Sequence, residues 1–411
     1  MRRVFLFLAI LLPLMLVGCV SMALPKVSSR EAELPVQPDI AVLAADRASW
    51  EAARPQLLEL FQSEVFGTYP SNTETEVLER RLIDANAYDG RGRLEDWHIS
   101  MDGFETYIAT VRPNGIDGPV PTIIMQLFCG TRAALGGNED MRQMPGAPNC
   151  DGDSWMVVPM LWIFGEHIAE PPVADILDAG YALAFVYAGD VVPDSASRAQ
   201  TPLEQLVPQG DGGAIAAWAW VYSRVIDVLD AQPEFDNDRT AVWGHSRNGK
   251  SALLVAAFDE RVDLVIAHQA GTGGTTLSRS HNGESIAQIT ESYPHWFSPR
   301  YAEYAGREEE LPVDQHQLIA LMAPRPLMIG GAWRDAWSDP TGSFRAGRAA
   351  NPVYALYGSD GMTQTSLGDF QPEADVAQFM RRGLHGVRPG DWRAFLAFLD
   401  AHFEPERRQA Q

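Results

Sequence analysis

The residues most ready to do chemistry sit in the run Gly244-His245-Ser246-Arg247-Asn248-Gly249-Lys250. An apolar stretch over 240–243 leads into Gly-x-Ser, and an Ala- and Leu-rich helical stretch comes after it. That is the context of a nucleophile elbow, a strained strand-to-helix turn that exposes a serine hydroxyl. Small residues are needed because the backbone folds tightly on itself there. The turn also puts Ser246 at a helix N-terminus, where amides and the helix dipole favour developing negative charge. The usual pattern is Gly-x-Ser-x-Gly, and here the second glycine comes one residue late, at Gly249. A chance serine on a surface turn is the plainer reading of this segment.

A serine hydroxyl needs a base within hydrogen-bonding reach, and in hydrolases with such an elbow the order along the chain is Ser, acid, His. Of nine histidines, His385 and His402 lie far downstream. His385 falls in Arg381-Arg382-Gly383-Leu384-His385-Gly386, a loop just before the last helical stretch, and is the expected base. His402 lies inside that stretch, off its apolar stripe, and reads as a surface residue.

The elements that must position these groups follow from periodicity. Continuous apolar runs at 122–128, 181–187, 240–243, 264–268 and 326–330 predict strands buried on both faces. Residues 214–229 predict a helix, and from Asp391 onward Trp392, Phe395, Leu396, Leu399 and Phe403 recur at helical spacing. Strands alternating with helices predict an α/β chain: a three-layer α/β/α sandwich around a mostly parallel sheet, the α/β-hydrolase fold. One catalytic domain over 39–406 is expected.

Ahead of it, Met1-Arg2-Arg3 and the apolar stretch 4–17 read as an export signal, too short for a membrane span of about 20 residues. Residues 1–18 end Leu16-Val17-Gly18, and the adjoining Cys19 resembles the lipid-modified cysteine of bacterial lipoproteins. Residues 19–38 read as a tether. Val20 is not Asp, so by the same resemblance nothing retains the protein at the inner membrane; an outer-membrane lipoprotein is expected, anchored by lipid on Cys19. A net charge of −22 argues against nucleic acid as a partner, which needs clustered Lys and Arg. Cys129 and Cys150 flank a Gly-containing loop; a disulfide and two buried thiols are both open readings. No Cys/His spacing resembles a zinc site, so no metal is expected.

The variant Gly-x-Ser-Arg-x-Gly-Lys is informative in combination with several segments downstream of it. These are Asp259-Glu260-Arg261-Val262-Asp263-Leu264-Val265-Ile266, Ala270-Gly271-Thr272-Gly273-Gly274, Arg279, Gly283-Glu284-Ser285 and Pro294-His295-Trp296-Phe297. In order and spacing they resemble the bacterial branch of the glucuronoyl esterases, the fifteenth carbohydrate esterase family. The resemblance runs roughly from residue 180 to 403. It implies esters of (4-O-methyl-)glucuronic acid as substrates, such as lignin-carbohydrate links on glucuronoxylan, and no cofactor.

It also implies roles. His385, ahead of the Asp391-Trp392 pair, is the base. Arg247 supplies its side chain to the oxyanion. Lys250 and Glu284 bond sugar hydroxyls, and Trp337 packs on the sugar. Many members carry a Glu directly before the small-Gly-x-Gly-Gly loop as the acid, whereas this chain has Gln269 there. Other bacterial members place an Asp after the next strand, which Asp335 matches, with Asp339 as a rival that more simply fixes its loop. Trp218, Trp220 and Trp296 read mainly as packing. Two competing readings remain: an acetyl or general carboxylic esterase with the same triad, and a glycan-binding lipoprotein in which Gln269 marks lost activity.

Overall fold

The computed structural model describes residues 36–405 apart from 72, 149, 151–160 and 162; Cys19, residues 1–18 and most of the expected tether lie outside the described residues. Nine strands form one sheet in the order β1-β2-β3-β5-β4-β6-β7-β8-β9. Six of them, β4 (Val120–Gln126), β5 (Ala182–Val186), β6 (Phe235–His245), β7 (Leu264–His268), β8 (Leu327–Ala332) and β9 (Val376–Arg381), run parallel. The mostly parallel α/β sheet is the one expected.

The apolar runs are strands for the reason periodicity suggested: successive residues face opposite cores. In β7, Val265 and Ala267 join one buried cluster with the helices Ala214–Asp230 and Arg247–Phe258. Leu264 and Ile266 join the other, beneath the helix Pro389–Phe403. There Trp392 stacks on Trp243 with ring centroids 5.7 Å apart. His402, read from the sequence as a surface residue, is instead mostly covered, its side chain 11% exposed beside Phe398 and near Asp375. The apolar stripe of this helix is wide enough to take it in.

Four strands had no apolar run to announce them: β9, whose run is broken by the buried Gln378 and Arg381, and three at the other end of the sheet. β1 (Thr75–Asn86), β2 (Gly92–Met101) and β3 (Phe104–Pro113) pair antiparallel and join the sheet where β3 meets β5. β1 is an edge strand largely open to solvent. It carries charge, which discourages pairing with other chains. β2 buries Glu95 and Asp96, which read as surface residues in a sequence; Arg80 and Arg93 neutralise Glu95, and Arg81 and Arg142 neutralise Asp96. Cys129 and Cys150 form a disulfide across a sequence separation of 21, closing the loop beyond β4.

The parallel order has one consequence for the site. The residues immediately after β6, β7, β8 and β9 come to the same edge of the sheet, in neighbouring positions. In open α/β sheets that carboxyl edge is where ligands bind.

Candidate active site

Ser246 comes directly after β6 with φ 57° and ψ −124°, a backbone conformation that side-chain-bearing residues rarely adopt. The turn is pinned from two sides. The Ser246 amide donates to the His268 carbonyl (2.9 Å) and the Asn248 side chain donates to the Gln126 carbonyl (3.1 Å). A Cβ on Gly244 would overlap the Asn248 carbonyl, so no larger residue fits there. The late glycine has a physical reason too: a Cβ on Gly249 would lie 3.0 Å from the Gly244 carbonyl and 3.2 Å from that of His268. Asn248 fills the usual glycine position because its side chain ties the elbow to β4.

His385 stands in the loop between β9 and the last helix, and its Nδ1 lies 2.9 Å from Asp335 Oδ2. Asp335 lies just beyond β8, is 3% exposed, and also accepts from Ser338 Oγ (2.7 Å) and Gln269 Nε2 (2.8 Å) on the same oxygen. Burial pushes this carboxyl up, but the hydrogen bonds and charge of His385, with Ser338, outweigh it and hold it below the usual carboxylate range. An ionised carboxylate on Nδ1 fixes the imidazole tautomer and leaves Nε2 as the nitrogen able to take a proton. Ser246, Asp335 and His385 all line one cleft of about 450 Å³. Asp339 is engaged elsewhere: it caps the helix Pro340–Ala349 through the Gly342 amide (3.0 Å) and accepts from Ser280.

Two further imidazoles back this pair, and neither was singled out by the sequence. His245 packs against His385 with ring centroids 4.6 Å apart, and His268 lies 5.1 Å beyond. Burial drives both pKa values down, His268 to about 3, so the wall behind His385 is uncharged.

Arg247 is the first residue of its helix, whose leading amides have no partner within the helix. Its guanidinium lies 3.2 Å from Asp194 Oδ2, and over the rings of Phe128 (4.6 Å) and Trp218 (5.7 Å). Asp194 also accepts from His295 Nε2 (2.9 Å) and Trp296 Nε1 (2.8 Å). This carboxylate, unmarked by any motif, therefore organises both the arginine and one wall of the cleft.

Lys250 sits one helical turn beyond Ser246. It is buried, donates to the carbonyls of Ala270 and Thr272 (2.6 Å to the latter), and has its pKa pushed down to about 8 by burial, against the opposing pull of Glu284 and Asp335. An ammonium has three donors, so one remains for a ligand. Glu284 also lines the cleft; burial raises its pKa despite the nearby charge of Lys250. Trp337, 53% exposed, stands on the rim with Tyr293, which stacks on Trp296 at 3.8 Å. Of the three tryptophans read as packing, Trp218 and Trp220 are core and Trp296 lines the cleft. Among the described residues, no group of His, Cys, Asp or Glu is arranged to hold a metal ion, and no helix is long and apolar enough to cross a membrane.

Comparison with known proteins points one way. A family model described as glucuronyl esterase of fungi matches residues 175–358. The chain is 38% identical over 232 residues to the carbohydrate esterase MZ0003 of an unknown prokaryotic organism, covering 54% of each chain. It is 36% identical over 154 residues to 4-O-methyl-glucuronoyl methylesterase 1 of Wolfiporia cocos, covering 35% of this chain and 38% of that one. These matches span about half or less of the relatives' own length. The likeness to the solved glucuronoyl esterase of Solibacter usitatus is broader: 30% identity, a TM-score of 0.77, and coverage of 91% of this chain and 100% of that one. With its elbow, its cleft and this end-to-end likeness, the chain belongs to the glucuronoyl esterase family.

Proposed function

We propose that this protein is a serine esterase that hydrolyses esters of glucuronic acid, including 4-O-methylated ones, with lignin-carbohydrate links on glucuronoxylan as the natural class. The observation that carries the reading is the Nδ1–Oδ2 contact of 2.9 Å between His385 and Asp335, in the same cleft as a serine held on a strained elbow. The relatives' names supply the acyl group.

In this mechanism His385 Nε2 takes the proton of Ser246 as Oγ attacks the uronoyl carbonyl. The carbonyl oxygen gathers the displaced electron pair, stabilised by the Arg247 amide and by guanidinium N–H groups left over from Asp194. Losing one such donor costs roughly 100- to 1,000-fold in rate. As the tetrahedral intermediate collapses, His385 hands the proton to the departing alcohol. Water then attacks the acyl-enzyme with the same base, releasing glucuronate and restoring Ser246. Asp335 stabilises the imidazolium without itself taking the proton. Lys250 donates to sugar hydroxyls, Glu284 accepts from them, and Trp337 packs on the ring. The lipid anchor on Cys19 would hold this activity at the outer membrane, and the disulfide suits such an exported setting.

A fluorophosphonate probe tests the nucleophile and the acyl group together. Label is expected on Ser246, absent in Ser246→Ala, and slowed by methyl glucuronate but not by equal methyl acetate. Unlabelled wild type would favour the glycan-binding reading, and protection by methyl acetate alone the general esterase.

A further inference from the structure

Gln269 is unlike its surroundings. It comes immediately after β7, at φ 49°, a left-handed conformation uncommon for any residue but glycine. Its side chain is buried and spends both ends on the site: Nε2 donates to Asp335 Oδ2 (2.8 Å), and Oε1 accepts from the Gly386 amide (2.8 Å). Gly386 is the residue after His385, and Nε2 also lies 3.4 Å from the Leu384 carbonyl on its other side. One amide therefore links the segment after β8 to the segment after β9, from a seat just beyond β7, between the elbow and the acid. Only a group that donates and accepts at once, without charge, satisfies an ionised carboxylate at one end and an amide N–H at the other. A carboxylate would set two like charges 2.8 Å apart.

We propose that Gln269 is a positioning residue, which fixes the spacing between Asp335 and the His385 loop so that the imidazole keeps one tautomer and one orientation. This rests on the triad reading above. Small displacements matter at such a site, since an error of about 1 Å costs on the order of 100-fold. The charged and titratable groups around this triangle are Lys250, Glu284, Arg381, His245 and His268. Arg381 also ties the two segments, its guanidinium donating to the Leu384 and Gly386 carbonyls and its own carbonyl accepting from the Trp333 amide (3.0 Å), but its contacts stop short of the Asp335 carboxylate that Gln269 holds.

The test measures Gln269→Met and Gln269→Glu on methyl glucuronate, with Asp335→Asn and Ser246→Ala beside them. Gln269→Met should lose roughly 10- to 100-fold in kcat with KM within about twofold. It should also shift or broaden the downfield proton resonance of the His385 Nδ1–H. Gln269→Glu keeps the shape, so on the plateau above its acid limb it should work closer to the wild-type rate than Gln269→Met. Its second negative charge favours the imidazolium, moving the acid limb of kcat/KM to higher pH by about one unit or more. A Met variant that only melts earlier, with kcat and resonance intact, overturns the proposal, as does one that raises KM alone. If the Met variant does not fold, an unmoved acid limb in the Glu variant overturns it. Crippled Asp335→Asn and Ser246→Ala beside normal Gln269 variants sink the positioning role while sparing the triad; turnover intact in Asp335→Asn and Ser246→Ala sinks both.

Discussion

Asp335 concentrates three hydrogen bonds on one carboxylate oxygen, from His385, Ser338 and Gln269. Asp335→Asn keeps the shape but removes the charge that selects the tautomer, so kcat should fall by roughly 1,000-fold or more. Steady-state rates on methyl glucuronate check this, and a loss below tenfold would move the acid elsewhere. Lys250 gives a pH prediction. Its pKa is pushed down to about 8 by burial, so it is charged and donating below pH 8 and loses its proton above. KM for uronate esters should rise as pH passes through about 8, and Lys250→Met should raise KM at neutral pH and flatten that limb. At this scale the sequence was legible wherever chemistry is local. Ser246 declares itself by its turn, and His385 by a loop ahead of an amphipathic helix. Asp194 and the positioning contacts of Gln269 could not be read, because their partners lie 53 and 66 residues or more away and no spacing rule connects them.

The elbow depends on glycines for close approach rather than for positive φ. A Cβ at Gly244 would collide with backbone, so Gly244→Ala should cost about 2–3 kcal/mol or abolish soluble expression. Gly249→Ala, whose Cβ would sit at 3.0–3.2 Å from its neighbours, should be milder. Urea denaturation separates the two, and equal stabilities would contradict this account of the late glycine. The strands β4 to β8 were visible as apolar runs because both faces are buried, though β6 begins five residues before the run that announced it. β1 to β3 and β9 were not visible: an exposed edge strand, a neighbour with buried, arginine-neutralised carboxylates, and the buried Gln378 and Arg381 of β9 break the correspondence between polarity and exposure on which periodicity relies.

For the whole molecule, the site is assembled by topology. Four adjacent parallel strands deliver Ser246, Gln269, Asp335 and the His385 loop to one sheet edge. Replacing Cys129 and Cys150 by Ser should lower stability by about 3 kcal/mol, the entropy of a loop of this length. The same change should leave fluorophosphonate labelling of Ser246 at its wild-type rate. Thermal melts with parallel labelling check both halves.

Initial rates on benzyl glucuronate and on 4-nitrophenyl acetate, for wild type and Ser246→Ala side by side, decide whether Ser246 turns over uronate esters. A uronate esterase of this build turns over the uronate ester as wild type, loses that turnover in Ser246→Ala, and shows a kcat/KM for the uronate well above that expected from the relative reactivity of the two esters. Uronate turnover that survives Ser246→Ala, or activity confined to the acetate, would contradict this reading.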